Sequence, residues 1–308
     1  HRSARGWVAA LSMSSYRVAR YEHGNGENLR GWHTGDGMLY WWAEGHREQY
    51  AGTFWQTVDP YRLPGTTVST RRLPDGAGKP WGDNCPDARW VGGVTDGTYA
   101  AVGQHLLGLE SSLEAFKSWF FLDDAVVCLG AGISCSDGVP VETVVDNRRA
   151  AGPLAVHPGW AHLEGHGGYV VRDGRLRAQR GGAYVTLWLD HGVDPGGGTY
   201  AYLLMPGATA DETRARAWDP GWAVILANSA AQQAIRVPSL DLTAVNFWQP
   251  GTVAGLTADA PCAVLIGGNT VTVADVREDL DSLTLSWNTG RKVTIPLNNQ
   301  RRIWRIPG

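Results

Sequence analysis

The chain is expected to be all-β: a large antiparallel multi-sheet sandwich followed by a smaller antiparallel β domain. Three observations carry this. Short runs rich in β-branched and aromatic residues recur, among them "DDAVVCLGAGI", "GYVV", "AYVTLWLDHG", "TYAYLLMP" and "WAVILAN". Gly, Pro, Asp and Asn bound these runs, and 40 glycines with 16 prolines supply the turns that many short strands need. The runs follow one another every 8–15 residues or so, about the spacing of an antiparallel sandwich rather than of alternating β/α units.

Taken in order, the opening "GWVAALSMSSYRVARYE" fits either a strand or a helix period, and so does "SLEAFKSWFFLDD" further on. The five runs quoted above then build the sandwich. Around residues 222–240, in "WAVILANSAAQQAIRVPSLDLTAVNFWQPG", dense strand patterning gives way to a small-residue connection and restarts. This predicts a sandwich over 1–222 and a smaller β domain over 223–308. In the second part "GGNTVTVADV", "DSLTLSW" and "GRKVTIPL" continue the strand pattern, the last two as a hairpin across "NTGR".

Composition removes several functional classes. With 308 residues, 43% hydrophobic and 19% charged, the chain has enough apolar material for a layered core and is not a disordered polymer. A net charge of −3 offers no basic field for nucleic acid. No apolar run reaches the roughly 18–20 residues of a membrane span, and nothing reads as an intact signal peptide. The 15 tryptophans fit either a thick core or stacking on sugar rings.

Cys85, Cys128, Cys135 and Cys262 contain no CxxC pair, which argues against a zinc site. Cys128 and Cys135 are close enough in sequence to close a small loop, Cys85 is an alternative partner for either, and buried free thiols are an equal account. "HPGWAHLEGH" holds His157, His162, Glu164 and His166, yet matches no zinc spacing and reads as a β turn. "GAGIS" and the glycines at 196–198 lack the strand–loop–helix setting of a phosphate cradle. No cofactor is required on these grounds; a structural calcium is compatible with the sequence, since oxygen ligands leave little trace in it.

The densest polar stretch is "YEHGNGENLRGWHTGDGMLYWW", residues 21–42. With its flanks it reads "SMSSYRVARYEHGNGENLRGWHTGDGMLYWW", followed by "FWQTVDPYRLPGTTV", and it resembles the central β-sandwich of the family 8 polysaccharide lyases, which include hyaluronate, chondroitin AC and xanthan lyases. The likeness runs on in colinear order through "KSWFFLDDAVVCLGAGI", "VETVVDNR", "HPGWAHLEGHGGYVV", "WLDHGVDPGGGTYAYLLMPGAT", "LANSAAQQAI", "NFWQPGTV" and "VTVAD". It thus covers essentially the whole chain.

The resemblance implies β-elimination on an acidic polysaccharide by a secreted bacterial enzyme. A base removes the proton beside a uronate carboxylate, the carboxylate is neutralised, and the glycosidic oxygen leaves with a proton. In the family a tyrosine serves as base and acid; a histidine, an arginine and a glutamate orient it, and an asparagine meets the substrate carboxylate. A phenol titrates near pH 10 and needs cationic neighbours to act at neutrality. The tyrosine, histidine and arginines lie on an N-terminal α-helical toroid, and this chain shows no toroid pattern. It is therefore expected to supply the sandwich part only, to need the toroid as partner, and to be inactive alone.

Glu22 and Asn25, in "YEHGN", match the family's E-x-x-N and are the candidate catalytic pair. A carboxylate beside an arginine holds its guanidinium fork, and an amide offers a neutral donor to an acidic sugar. Asn28, Arg30 and Trp32 are candidate substrate contacts, with an ion pair from Arg30 to Glu27 or Asp36 as the structural alternative. His23 and His33 inherit no catalytic role and read as turn residues, and Trp41 and Trp42 as core. "DPYRLPGTTV" is a Pro/Gly turn shaping the cleft wall, and "DGAGKPWGDNCPD" a long polar loop covering the groove or meeting the toroid. The substrate expected is hyaluronan or a chondroitin chain; the alternatives are a xanthan lyase or a non-catalytic carbohydrate-binding sandwich.

Overall fold

Strands whose neighbouring residues are both apolar must be covered on both faces, because successive side chains of a strand point opposite ways. Along Val126–Ser134, Val126 and Cys128 enter one core while Val127 and Leu129 enter another. Along Gly196–Pro206 the same split puts Tyr200, Tyr202 and Leu204 on one side and Ala201, Leu203 and Met205 on the other. The computed structural model, which describes residues 1–297 and 303–307, accordingly shows a stack of sheets; the remaining residues of the expected smaller domain, to 308, lie outside the described residues.

The central sheet has eight strands in the order 91–95, 100–107, 114–121, 126–134, 196–206, 167–173, 160–163 and 154–157, all antiparallel. One face is covered by the four-stranded sheet of 176–181, 184–193, 140–149 and 67–69, together with the pair Val8–Met13 and Asp36–Trp42. The other face packs on a six-stranded sheet of 224–228, 232–237, 242–247, 262–267, 270–274 and 303–307. That sheet repeats the two-faced pattern: Ile235, Ala244 and Leu265 face the central sheet, and Ala234, Val245 and Val264 face the last sheet, built from 251–253, 256–258, 282–287 and 292–296.

Both ambiguous stretches are strands, Val8–Met13 and Glu114–Phe121. Period two wins in the second because Ala115, Trp119 and Phe121 fill one core while Phe116 and Phe120 meet the other. The small-residue connection near 222–240 is itself a hairpin, Val224–Asn228 with Gln232–Val237, so strand pattern continues through it. The expected hairpin across "NTGR" pairs Ser282–Trp287 with Lys292–Pro296. The helix Ala210–Ala217 went unread in the sequence, although Thr209 and Glu212 form a capping box at its start. All four cysteines are free. Cys128 lies on an extended strand that runs toward Cys135, and seven extended residues span about 20 Å, far beyond disulfide reach. No helix among the described residues is long and apolar enough to cross a membrane.

The sheets are also pinned by polar side chains where they meet. Trp90 Nε1 donates to the Phe247 carbonyl at 2.9 Å, and Asn246 Nδ2 donates to Ser118 Oγ at 2.8 Å. Buried polar groups that find such partners fix one register between layers.

Candidate active site

Residues 14–35 connect Val8–Met13 to Asp36–Trp42 as a long excursion. Its polar residues divide into a buried set and an exposed set. In the buried set Asp36, 1% exposed, accepts from Arg20 Nη1 at 3.2 Å and faces His33 Nδ1 at 2.9 Å. Tyr21 and Trp32 pack with Tyr61, Ala77 and Leu109 as a satellite core beneath the loop. His23 is buried and stacks on Tyr21 at 5.1 Å. These anchors explain how a glycine-broken stretch holds one shape.

The exposed set forms the rim. Glu22 is exposed, and among the described residues its carboxylate has no hydrogen-bond partner. Asn25 is exposed too; its Oδ1 accepts from Glu27 N at 3.1 Å and its Nδ2 donates to Glu27 Oε2 at 3.2 Å, a local turn closed by a side chain. Asn28 is exposed, and its Nδ2 donates to the Glu22 carbonyl at 2.8 Å. Arg30 lies on the same rim but is forked onto Asp75, with Nε–Oδ1 at 2.7 Å and Nη2–Oδ2 at 3.3 Å, and not onto Glu27 or Asp36. The expectation for Trp32 fails. At 2% exposed it has no ring face left for a sugar, because the satellite core needs its area more than the rim does.

The aromatic surface at the rim is Trp81, which sequence reasoning did not single out. It is 64% exposed, its backbone N–H donates to the His23 carbonyl at 2.7 Å, and its indole lies over Gly24. A Cβ at Gly24 would come within 2.6 Å of that ring, so the glycine is what admits it. The available signal was a tryptophan between Pro80 and Gly82 in a polar loop, where no strand could bury it. Of the other tryptophans in the original stretch, Trp41 is core and Trp42 is half-buried, edge-on to Tyr50.

Burial pushes the phenols of Tyr21, Tyr40 and Tyr50 up to about 12; for Tyr21 the nearby Glu110 adds to this, and for Tyr50 the Arg148 guanidinium opposes it. That is the reverse of what a base at neutral pH requires. The histidines of "HPGWAHLEGH" do not converge either: His162 Nε2 lies 3.0 Å from the Ala208 carbonyl, while His166 stacks on His46 at 4.1 Å. Among the described residues no three His, Cys, Asp or Glu side chains gather as metal ligands would. What the rim offers is an unpaired carboxylate, an amide and an indole on adjoining loops, suited to orienting a cation and a carboxylated sugar.

The stack of antiparallel sheets makes this a layered β-sandwich protein. Residues 1–182 match polysaccharide lyase family 8, super-sandwich domain, and residues 224–284 match polysaccharide lyase family 8, C-terminal beta-sandwich domain. The chain belongs to polysaccharide lyase family 8. It is 48% identical to a hyaluronate lyase of Thermasporomyces composti, across 92% of this chain and 42% of that protein. It is 33% identical to a xanthan lyase of Bacillus sp. (strain GL1), across 80% of this chain and 31% of that one. The structure of the Streptomyces coelicolor A3 chondroitin AC lyase in complex with chondroitin sulphate superposes with a TM-score of 0.90 at 53% identity, covering 94% of this chain and 42% of the other. The chain thus spans less than half the length of these relatives.

Proposed function

We propose that the chain is the β portion of a secreted bacterial lyase that cleaves hyaluronan or chondroitin by β-elimination, leaving an unsaturated uronate on the product. Residues 1–222 serve as its sandwich and 223–308 as its smaller domain. The observation that carries the reading is the rim: Glu22, free of hydrogen-bond partners among the described residues, and Asn25 are exposed on one turn beside the solvent-facing Trp81. Identities of 48% to the Thermasporomyces composti hyaluronate lyase and 53% to the Streptomyces coelicolor A3 chondroitin AC lyase, against 33% and 29% to two xanthan lyases, favour a glycosaminoglycan.

In this reading the proton beside the uronate carboxylate goes to a base on a preceding α-helical domain, as the resemblance to the family implies. Asn25 donates to the substrate carboxylate and so favours the negative charge that develops next to it. Glu22 holds a cationic side chain of the partner domain against the base, lowering the base toward neutrality. Trp81 stacks on a sugar ring and sets the depth at which the chain lies.

The test is ultraviolet absorbance of the conjugated uronate on hyaluronan, chondroitin and xanthan, using the full-length protein with and without Glu22→Gln or Asn25→Ala. Both variants should fold normally and lose about a hundredfold or more in turnover. Cleavage of xanthan alone would move the substrate. Polysaccharide binding with no product from the full-length protein would leave a binding module instead of an enzyme.

A further inference from the structure

We propose that Asn28 is a positioning residue for Glu22, acting through the backbone rather than by touching sugar; this rests on the role given to Glu22 above. Among the described residues of the loop 20–35, Asn28 is the non-glycine residue with positive φ, +51°. A left-handed conformation is tolerated by asparagine because its side chain is short and can bond locally. Here it bonds to the Glu22 carbonyl, 2.8 Å from Nδ2 and six residues back, closing the loop into a ring.

Two further features hold the ring. The Asn28 carbonyl accepts from Gly31 N at 3.2 Å, and a Cβ on Gly31 would come 2.6 Å from Asn28 Oδ1, so glycine at 31 makes room for the amide. The Trp81 backbone N–H also donates to the His23 carbonyl at 2.7 Å. The peptide units after Glu22 and His23 are thereby both held. Gly24 and Gly26, at φ +144° and +86°, would otherwise let this segment move freely.

The clamp matters because the Glu22 carboxylate has no hydrogen bond of its own among the described residues. Its direction is inherited from its backbone. Removing the Asn28 amide releases the Glu22 carbonyl and broadens the range of positions the carboxylate occupies, and small misplacements of an orienting group cost rate steeply.

The experiment compares Asn28→Gly, Glu22→Gln and the double variant in the full-length enzyme, on whichever of hyaluronan or chondroitin the wild type cleaves. Asn28→Gly keeps the left-handed backbone and removes only the amide. Its kcat should fall about tenfold with KM within about twofold, and the double variant should be no slower than Glu22→Gln alone, because a residue acting through another is not additive with it. Amide hydrogen exchange over 22–27 should also quicken in Asn28→Gly. A double variant slowed by the product of the two single effects, or an Asn28→Gly enzyme at the wild-type rate beside a slow Glu22→Gln, overturns this proposal alone. A wild-type rate for Glu22→Gln overturns the role of Glu22 and this proposal with it.

Discussion

The Lys117 Nζ donates to the carbonyl oxygen of Gly65 at 2.7 Å and to the Asp36 carbonyl at 3.0 Å, with no exposure to solvent. One buried amine thus ties the central sheet to the turn "RLPGTT" and to the start of Asp36–Trp42. Gly37 admits it, since a Cβ there would come 2.9 Å from Nζ. Lys117→Met should destabilise the fold by about 2–4 kcal/mol, measured by denaturant unfolding, because two buried carbonyls lose their donor.

The same lysine predicts a pH dependence. Burial pulls Lys117 down to about 7, against the opposing pull of Asp36. Between that value and the roughly 10.4 of an unfolded lysine, the unfolded chain binds a proton that the folded chain does not, so stability rises with pH across this window. The rise should be absent in Lys117→Met. An unchanged slope in that variant would assign the effect elsewhere.

Asp146 takes the opposite route, a buried ion pair. Its Oδ2 accepts from Tyr169 Oη at 2.7 Å, Arg148 Nε at 3.1 Å and Trp41 Nε1 at 3.1 Å, while the Arg148 guanidinium stacks 3.4 Å from the Trp41 ring. Asp146→Ala should cost about 3–5 kcal/mol in unfolding experiments, as it leaves a buried guanidinium without its counter-charge. Replacing both partners with apolar residues of similar volume should cost much less.

Asp137 ties Ser69 to Ser111 and Ser112. Burial would raise its carboxyl, but hydrogen bonds from Ser111, Ser112 and Ser69 outweigh it and hold the group well below the usual carboxylate range. A depressed carboxyl stabilises fully above its unfolded value, near 4, and that contribution disappears as pH falls below it. Thermal melting followed downward from about pH 5 should therefore drop less steeply in Asp137→Asn than in the wild type. Equal slopes would remove Asp137 from the acid response.

Trp81→Ala should leave stability within about 0.5 kcal/mol, since an exposed ring carries little of the fold. Polysaccharide affinity, measured by titration calorimetry, should fall up to about tenfold if the indole stacks on sugar. Wild-type affinity would return the rim to polar contacts alone.

The layered β fold was legible in the sequence because strand periodicity and turn residues are local. Val126–Ser134 and Gly196–Pro206 announce two buried faces by themselves, and the motif around Glu22 and Asn25 announces its family without coordinates. Val8–Met13 and Glu114–Phe121 fit both periods locally, and helix Ala210–Ala217 is too short and too polar for periodicity to mark it despite its cap. Which side chain occupies which surface was decided only in three dimensions. Trp32 and Trp81 are chemically identical, yet one is core and the other solvent-facing, because Tyr21, Tyr61 and Leu109 converge on the first from distant parts of the chain. The engagement of Arg30 with Asp75 and of Lys117 with Gly65 has the same origin. Each pairing depends on loop closure and sheet stacking between segments remote in sequence, and no local pattern records where those segments meet.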